Sequence, residues 1–309
     1  MTASLASAGC GAHYLVATAP PPTPAVPLSS ITPNVLVVSI DGLRPDAISA
    51  FEATTLQRLI REGSYTLAAS TILPSKTLPS HTSMLTGQTP EHHGVLWNTP
   101  LTADADEVGS PTVFAVARAQ GYRTAAFYSK AKFEPLQQSG SLDYSQAPGG
   151  WFGKWDADRT LTDVEEYLES ARPNLLFVHL PDPDSAGHAH GWMSAAYGHA
   201  VEQADDAVGR LLAAADRAYG AGEYTILVTA DHGGHGRDHG SDDPRDVTIP
   251  WIAWGRSVAA GELPPARVRT MDTASTVLWL LGVDEPADWA GSPVTDAFTT
   301  AAAVASGGR

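Results

Sequence analysis

The sequence predicts an α/β fold: a three-layer sandwich whose helices cover both faces of a mostly parallel central sheet. Three observations predict it. Short apolar runs rich in β-branched residues recur along the chain, helix-like segments alternate with them, and the first run is continuously apolar instead of alternating with polar residues. A continuous run suits a strand buried on both faces, and strand–helix alternation places strands parallel with helices on either side.

The elements follow in chain order. NVLVVSI (34–40) is the first predicted strand. TLQRLIREG (55–63) sets Leu56, Leu59 and Ile60 on one helical face and stops at Gly63. LPSHTSMLTG (78–87) reads as a helix, with Thr77 where the preceding loop turns into it. SPTVFAVARAQG (110–121) has Pro111 in its first turn and Gly121 at its end, and TAAFYS (124–129) is the second strand. DRTLTDVEEYLES (158–170) carries Leu161, Val164 and Leu168 at helical spacing. NLLFVHL (174–180) is a strand, residues 194–218 a long helix, and YTILVTA (224–230) a further strand; VTIPWIAWG (247–255) reads as one more. No repeat and no second linker interrupts this pattern. One domain is therefore expected over 33–297, preceded by a tether within 1–32 and followed by a flexible tail, 298–309.

Composition narrows the function. The 309 residues carry 34 acidic and 19 basic side chains, a net charge of −15, with no basic run. That excludes duplex nucleic-acid binding and argues against docking on anionic lipid. An anionic substrate then needs a local positive centre such as a metal ion. Cys10 is the only cysteine, so disulfides within the chain and cysteine-rich zinc sites are excluded. The stretch Ala8-Gly9-Cys10 resembles the end of a bacterial lipoprotein signal, although Ser7 replaces the usual Leu and no basic segment precedes it. A start upstream of Met1 would explain that. The expectation is a lipid anchor at Cys10, a stiff proline-rich tether over 18–30, and an extracytoplasmic location, periplasmic or membrane-anchored. The alternative is a tail with an incidental cysteine. Oligomeric state is unreadable.

Four stretches carry chemistry, each at a predicted strand exit or helix start, where ligands bind in such sheets. In SIDGLRPD, Asp41 leaves the first strand beside Gly42; alone, it would pass for a turn residue. In PSKTLPSHTSMLTGQTPEHHGV (74–95), Thr77 opens a helix, where N–H donors and positive field favour phosphate; the simpler role is a cap. In HLPDPDSAGHAHGW (179–192), Asp184 and His188 lie four apart; a helical turn would put both on one face, or the glycine-rich loop would fold them together, with His179, Asp182 and His190 nearby. In VTADHGGHGRDHG (228–240), Asp231 and His232 leave a strand, and His235 and His239 follow on a glycine-rich loop. Seven of the eleven histidines fall between 179 and 239, a clustering that points to metal.

In this order, the stretches resemble the alkaline phosphatase superfamily, and most closely its nucleotide pyrophosphatase/phosphodiesterase branch. The resemblance runs from residue 33 to DWAGSPV near the C-terminus and implies an alkaline phosphatase-like fold. It implies two zinc ions, with manganese or iron as substitutes. Asp41, Thr77, Asp231 and His232 would hold one ion; Asp184, His188 and His239 would hold the other. His239 is preferred to His235 because Gly240 and then a strand follow it, which leaves His235 to orient a ligand. Thr77 would be the nucleophile and form a phospho-threonine. Where those phosphodiesterases carry Asn three residues after the nucleophile, this chain has Ser80. Ser80, Asn98 and Lys76 are the candidate substrate contacts, with the Leu78 N–H in support. Lys130 and Lys132 are read either as phosphate contacts or as solvated lysines, and Trp97 as leaving-group pocket or core.

The implied activity is hydrolysis of a small phosphate ester, most simply a diester or nucleotide pyrophosphate. A phosphomonoesterase is the alternative, and a non-catalytic zinc-binding surface lipoprotein a remoter one. A conventional sulfatase is disfavoured, because threonine cannot become formylglycine.

Overall fold

A computed structural model describes residues 30–99, 108–150, 153–264 and 268–299. Cys10, nearly all of the 18–30 tether and positions 300–309 of the expected tail lie outside the described residues. Among the described residues, eight strands form one sheet: β1 (Val35–Ile40), β2 (Ser64–Ser70), β3 (Thr124–Phe127), β4 (Tyr144–Gln146), β5 (Leu175–Leu180), β6 (Thr225–Thr229), β7 (Thr248–Gly255) and β8 (Gly261–Glu262). The same described residues form ten α-helices: α1 (Pro45–Ala50), α2 (Thr54–Glu62), α3 (Thr77–Thr86), α4 (Pro90–His93), α5 (Val113–Ala119), α6 (Ala157–Ser170), α7 (Asp182–His190), α8 (Ala195–Tyr219), α9 (Pro244–Val247) and α10 (Asp272–Leu281).

The sheet order is β4-β3-β5-β1-β6-β7-β2-β8. The five strands from β4 to β6 run parallel, and β7 pairs antiparallel with both β6 and β2. All six residues of β1 and all six of β5 are buried, as a centre covered on both faces requires. Helices α1, α2, α6 and α7 pack on α8, while α3, α5 and α10 pack on one another. Among the described residues, no helix is long and apolar enough to cross a membrane.

Strands β2, β4 and β8 were not anticipated. The last two are only two or three residues long, and β2 is built largely of small residues at mixed burial. Helix α10 also escaped notice: it is buried nearly all round, so it has no polar face to reveal a period.

Asp205, 4% exposed on α8, shows how the helices are joined. Its two oxygens accept the N–H groups of Thr55 and Leu56, at 2.9 and 2.8 Å, in the first turn of α2. Asp205→Ala is expected to cost about 1–2 kcal/mol, the usual loss when helix-start donors lose their acceptor. Thermal unfolding checks this, and Asp205→Asn, which keeps one acceptor and turns the other into a donor facing an N–H, should recover only part of the loss.

Candidate active site

The parallel strands β3, β5, β1 and β6 are neighbours, and the segments leaving their carboxyl ends meet at one edge of the sheet. Lys130 follows β3, Asp184 lies in the first turn of α7 after β5, Asp41 follows β1 directly, and Asp231 and His232 follow β6. The Asp184 N–H donates to the Asp41 carbonyl at 3.0 Å. Gly42 makes this approach possible: its φ is +71°, and a Cβ there would come within 2.9 Å of the Asp184 Cα. Thr77, the first residue of α3, brings its Oγ1 to 3.3 Å from His232 Nε2.

Two ligand sets result. Asp41, Asp231 and His232 form one, fully buried; Asp184, His188 and His239 form the other, in which His188 is open to solvent. Within each set the donor atoms lie within 4.8 Å of one another. The sets are adjacent, since the rings of His232 and His239 stack at 3.6 Å with an 11° tilt.

The polar atoms left without partners fit a cation in each set. Asp41 Oδ1, Asp184 Oδ1 and Asp231 Oδ2 are buried and accept no hydrogen bond, a costly state unless something else meets them. Each histidine turns Nδ1 to a backbone carbonyl: His232 to Gly233 at 2.8 Å, His239 to Ser75 at 2.8 Å, His188 to Arg237 at 3.0 Å. A carbonyl only accepts, so Nδ1 carries the proton and the neutral ring presents the Nε2 lone pair. Those lone pairs face carboxylate oxygens. His232 Nε2 is 3.3 Å from Asp41 Oδ1 and 3.2 Å from Asp231 Oδ2, and His188 and His239 Nε2 are 3.3 and 3.5 Å from Asp184 Oδ1. Acceptors converging on acceptors in this way suit a metal ion between them.

The electrostatics of the two more buried rings point the same way, whereas the hydrogen bond to Asp184 raises His188 above its ordinary value. Burial, followed by repulsion from His239, pushes the His232 pKa down to about 3, and burial lowers His239 as well. Both shifts favour the neutral ring that a metal ligand requires. Burial opposes ionisation of Asp41, yet Lys130 and a 3.0 Å hydrogen bond from His179 hold its carboxyl well below the ordinary range. Asp184 is lowered too, with burial and Asp41 opposing and Lys130 prevailing. Asp231 goes the other way: burial and then Asp41 raise it well above the usual value, against the pull of Lys130.

The geometry brings all seven expected ligands together. It does not support three other expectations. His235 does not touch a ligand side chain; its Nδ1 bonds Asp246 at 2.7 Å, and the ligand histidines are oriented by backbone carbonyls instead. Ser80 is buried, and its hydroxyl donates to the Asp231 carbonyl at 2.7 Å with Thr71 Oγ1 at 2.8 Å, so it does not face a substrate. Lys130 is neither solvated nor open to phosphate, because its Nζ lies 2.6 Å from both Asp41 Oδ2 and Asp184 Oδ2. Asn98 does reach the nucleophile's helix: its Oδ1 accepts the Leu78 N–H at 2.9 Å and a Lys132 Nζ proton at 3.3 Å. Trp97 beside it is 37% exposed, which removes the core reading. Lys76 is half-buried, its stem against Gly240, and its ammonium has no hydrogen-bond or ion-pair partner among the described residues.

Other supports were less legible in sequence. His81 bonds the Thr77 carbonyl at 2.8 Å and Ser39 at 2.8 Å beneath the site. Trp192 and Tyr197 both donate to the Gly42 carbonyl, at 3.0 and 2.9 Å, and fix the turn that carries Asp41. The i, i+4 spacing of Thr77 and His81 was the only available signal. Asp182 turns away to accept the Ala157 N–H at the start of α6, and burial pushes its pKa up to about 6.

Fold and site together define an alkaline phosphatase-like α/β protein with two adjacent cation-type ligand sets at the rim of its sheet. The chain belongs to the type I phosphodiesterase/nucleotide pyrophosphatase family, whose model matches residues 35–242. It is 25% identical over 220 residues to mouse ectonucleotide pyrophosphatase/phosphodiesterase family member 3, covering 65% of this chain and 25% of that protein. It is 23% identical over 227 residues to the Xenopus laevis bis(5'-adenosyl)-triphosphatase of the same family, covering 67% and 48%. The chain thus spans between a quarter and half of the length of these relatives. Among solved structures, an inactive variant of murine ectonucleotide pyrophosphatase/phosphodiesterase 5 in complex with AMP superposes with a TM-score of 0.72 at 16% identity, covering 86% of this chain and 100% of that one. BT1596, a 2-O GAG sulfatase, gives 0.68 at 16% identity, covering 85% and 73%. At that identity, the two structures establish the fold alone.

Proposed function

We infer that the protein is a two-metal phosphoric ester hydrolase, acting as a phosphodiesterase or nucleotide pyrophosphatase through a phospho-threonine on Thr77. One observation carries this: a threonine hydroxyl at a helix start meets one of two adjacent ligand sets, whose buried carboxylate oxygens have no hydrogen-bond partner among the described residues. Asp41, Thr77, Asp231 and His232 would hold one ion, and Asp184, His188 and His239 the other. An all-nitrogen-and-oxygen ligand set suits zinc, with manganese or iron as substitutes. When bound, the ions supply positive charge that acidifies a hydroxyl and offsets charge on phosphoryl oxygens.

The chain's own residues do the rest. Thr77 Oγ1 attacks phosphorus, a Thr–O–P bond forms, and the ester P–O bond breaks. The departing alcohol leaves with the proton that Thr77 gave up. Water then attacks the phospho-threonine, frees Thr77 and releases the phosphate product. Asn98 lies beside Leu78 and meets a phosphoryl oxygen, and Lys76 borders the opening near Gly240. The names of the relatives, and the AMP in the murine complex, support a nucleotide or another small phosphate ester as substrate. The ectonucleotide names of the relatives also support an extracytoplasmic location; the candidate lipid anchor, Cys10, rests on the sequence alone. Thr77 has no use in a protein that only sequesters zinc, which weighs against the non-catalytic reading. The half-buried Lys132 favours a second reading, a phosphomonoesterase, because a monoester carries an extra charge.

The test is hydrolysis of bis-p-nitrophenyl phosphate and p-nitrophenyl phosphate by zinc-loaded protein. The diester should turn over, a chelator should stop it, and zinc should restore it. A rate ratio strongly favouring the monoester moves the assignment to the second reading. No turnover of either ester by metal-loaded protein sinks both.

A further inference from the structure

The connection between α7 and α8 is sharply bent. Gly191 has a φ of +98°, and Met193, which carries a side chain, has a φ of +64°, in the left-handed region such residues rarely adopt. Between them, Trp192 is turned inward and buried. Its backbone N–H donates to the Gly236 carbonyl at 2.8 Å, and its indole Nε1–H donates to the Gly42 carbonyl at 3.0 Å. Three segments that carry proposed ligands therefore meet on one residue: α7, the glycine-rich loop that ends in His239, and the turn after β1.

The indole also reaches the ligands themselves. It stands edge to face with His188, centroids 5.2 Å apart at 81°, and with His239, at 5.8 Å and 63°. Its ring is seated on two glycines. A Cβ on Gly187 would come within 2.6 Å of the indole, and one on Gly234 within 2.2 Å, so α7 and the loop can close on it only where both lack a side chain. A backbone carbonyl fixes the Nδ1 of each histidine. One hydrogen bond leaves the tilt of an imidazole open, and packing against a rigid aromatic ring settles it.

We propose that Trp192 is the positioning residue of the second ligand set: its indole holds the His188 and His239 rings so that both Nε2 atoms converge, with Asp184 Oδ1, on one ion. This rests on the two-metal reading above. The first set depends on Trp192 less, because the Gly42 carbonyl keeps a second donor, the Tyr197 hydroxyl at 2.9 Å. The competing role is an indole that only fills the core.

The experiment is a zinc titration against a competing chelator, read as two affinities. Wild type should take up two zinc ions. Trp192→Leu should hold one as tightly as wild type and the other about tenfold to a hundredfold more weakly, the usual cost of losing the group that orients a metal ligand. Trp192→Phe, which keeps an aromatic edge beside the histidines, should recover most of that loss. His239→Ala identifies the weakened ion: adding Trp192→Leu to it should not weaken the remaining one, because both changes act on the same set. Should Trp192→Leu not fold, Gly187→Ala carries the test, since its methyl displaces the indole and leaves the ring present; it too should weaken one ion selectively. Unchanged affinities, equal weakening of both ions, or a Trp192→Phe as poor as Trp192→Leu overturns the assignment, and so does a wild type that binds no zinc. A wild type that binds two zinc ions, one of them through Trp192, yet cleaves neither ester would overturn the hydrolase reading and leave the role of Trp192 standing.

Discussion

Replacing Thr77 with alanine is expected to lower kcat by about a thousandfold or more on the preferred ester, while the protein stays folded and keeps bound metal. The size follows from what is lost. Without the oxygen no phospho-threonine forms, and the residue left cannot deliver a nucleophile to phosphorus; removing a nucleophile from an enzyme of this kind leaves only binding and electrostatics. The fold has little reason to suffer. Thr77 opens α3 without capping it through its side chain, and among the described residues its hydroxyl meets only His232, at 3.3 Å. Five of the six other proposed ligand side chains are held by hydrogen bonds or ion pairs that do not involve Thr77; the sixth, His232, keeps its Nδ1 bond to Gly233. Thr77→Ser should retain part of the rate, because the oxygen survives. The decisive measurements are single-turnover rates, metal analysis and detection of phosphate on the threonine. Full turnover by Thr77→Ala at unchanged metal content would sink the covalent route.

Much of this site was legible because its parts follow local rules. Asp41, Asp231 and His232 stand immediately beyond continuous buried runs, so a strand exit was readable for each. Asp184 and His188 share a helical face, and α7 is indeed a helix there. What was not legible depends on which strands are neighbours. Lys130 bridges Asp41 and Asp184 only because β3, β5 and β1 lie side by side, an order that no local pattern in the chain states. Ser80 was misread for a related reason. Three residues on from Thr77, it lies most of a turn deeper along α3, where it reaches the carbonyl of Asp231 instead of the opening. His235 has the composition of a ligand, but the loop turns it to Asp246, while His239 is turned inward by the Ser75 carbonyl. Backbone carbonyls that orient histidines leave no trace in residue identity.

Lys130 leads to the second large effect. Three buried carboxylates crowd this edge of the sheet, and Lys130 is the cation that holds two of them. It meets Oδ2 of Asp41 and Oδ2 of Asp184, leaving Oδ1 of each for the proposed ions. Lys130→Met keeps the stem and removes the charge. In a chelator, two buried carboxylates then lose their partner, and the expected cost is about 3–5 kcal/mol, as for other buried pairs broken on one side. The sign with pH follows from the pKa directions. Asp41 and Asp184 are held below their ordinary range in the wild type, so the stability they contribute is present above the unfolded carboxylate pKa and lost as pH falls through their depressed values. Without Lys130, burial dominates and that contribution disappears at neutral pH. Saturating zinc should narrow the deficit, because bound cations compensate the same carboxylates and favour the folded chain by mass action. Thermal unfolding with chelator and with zinc reads both effects. If Lys130→Met lost as much stability in zinc as in chelator, the ammonium and the ions would not share those carboxylates, and the two-set metal site built on Asp41 and Asp184 would fail with it.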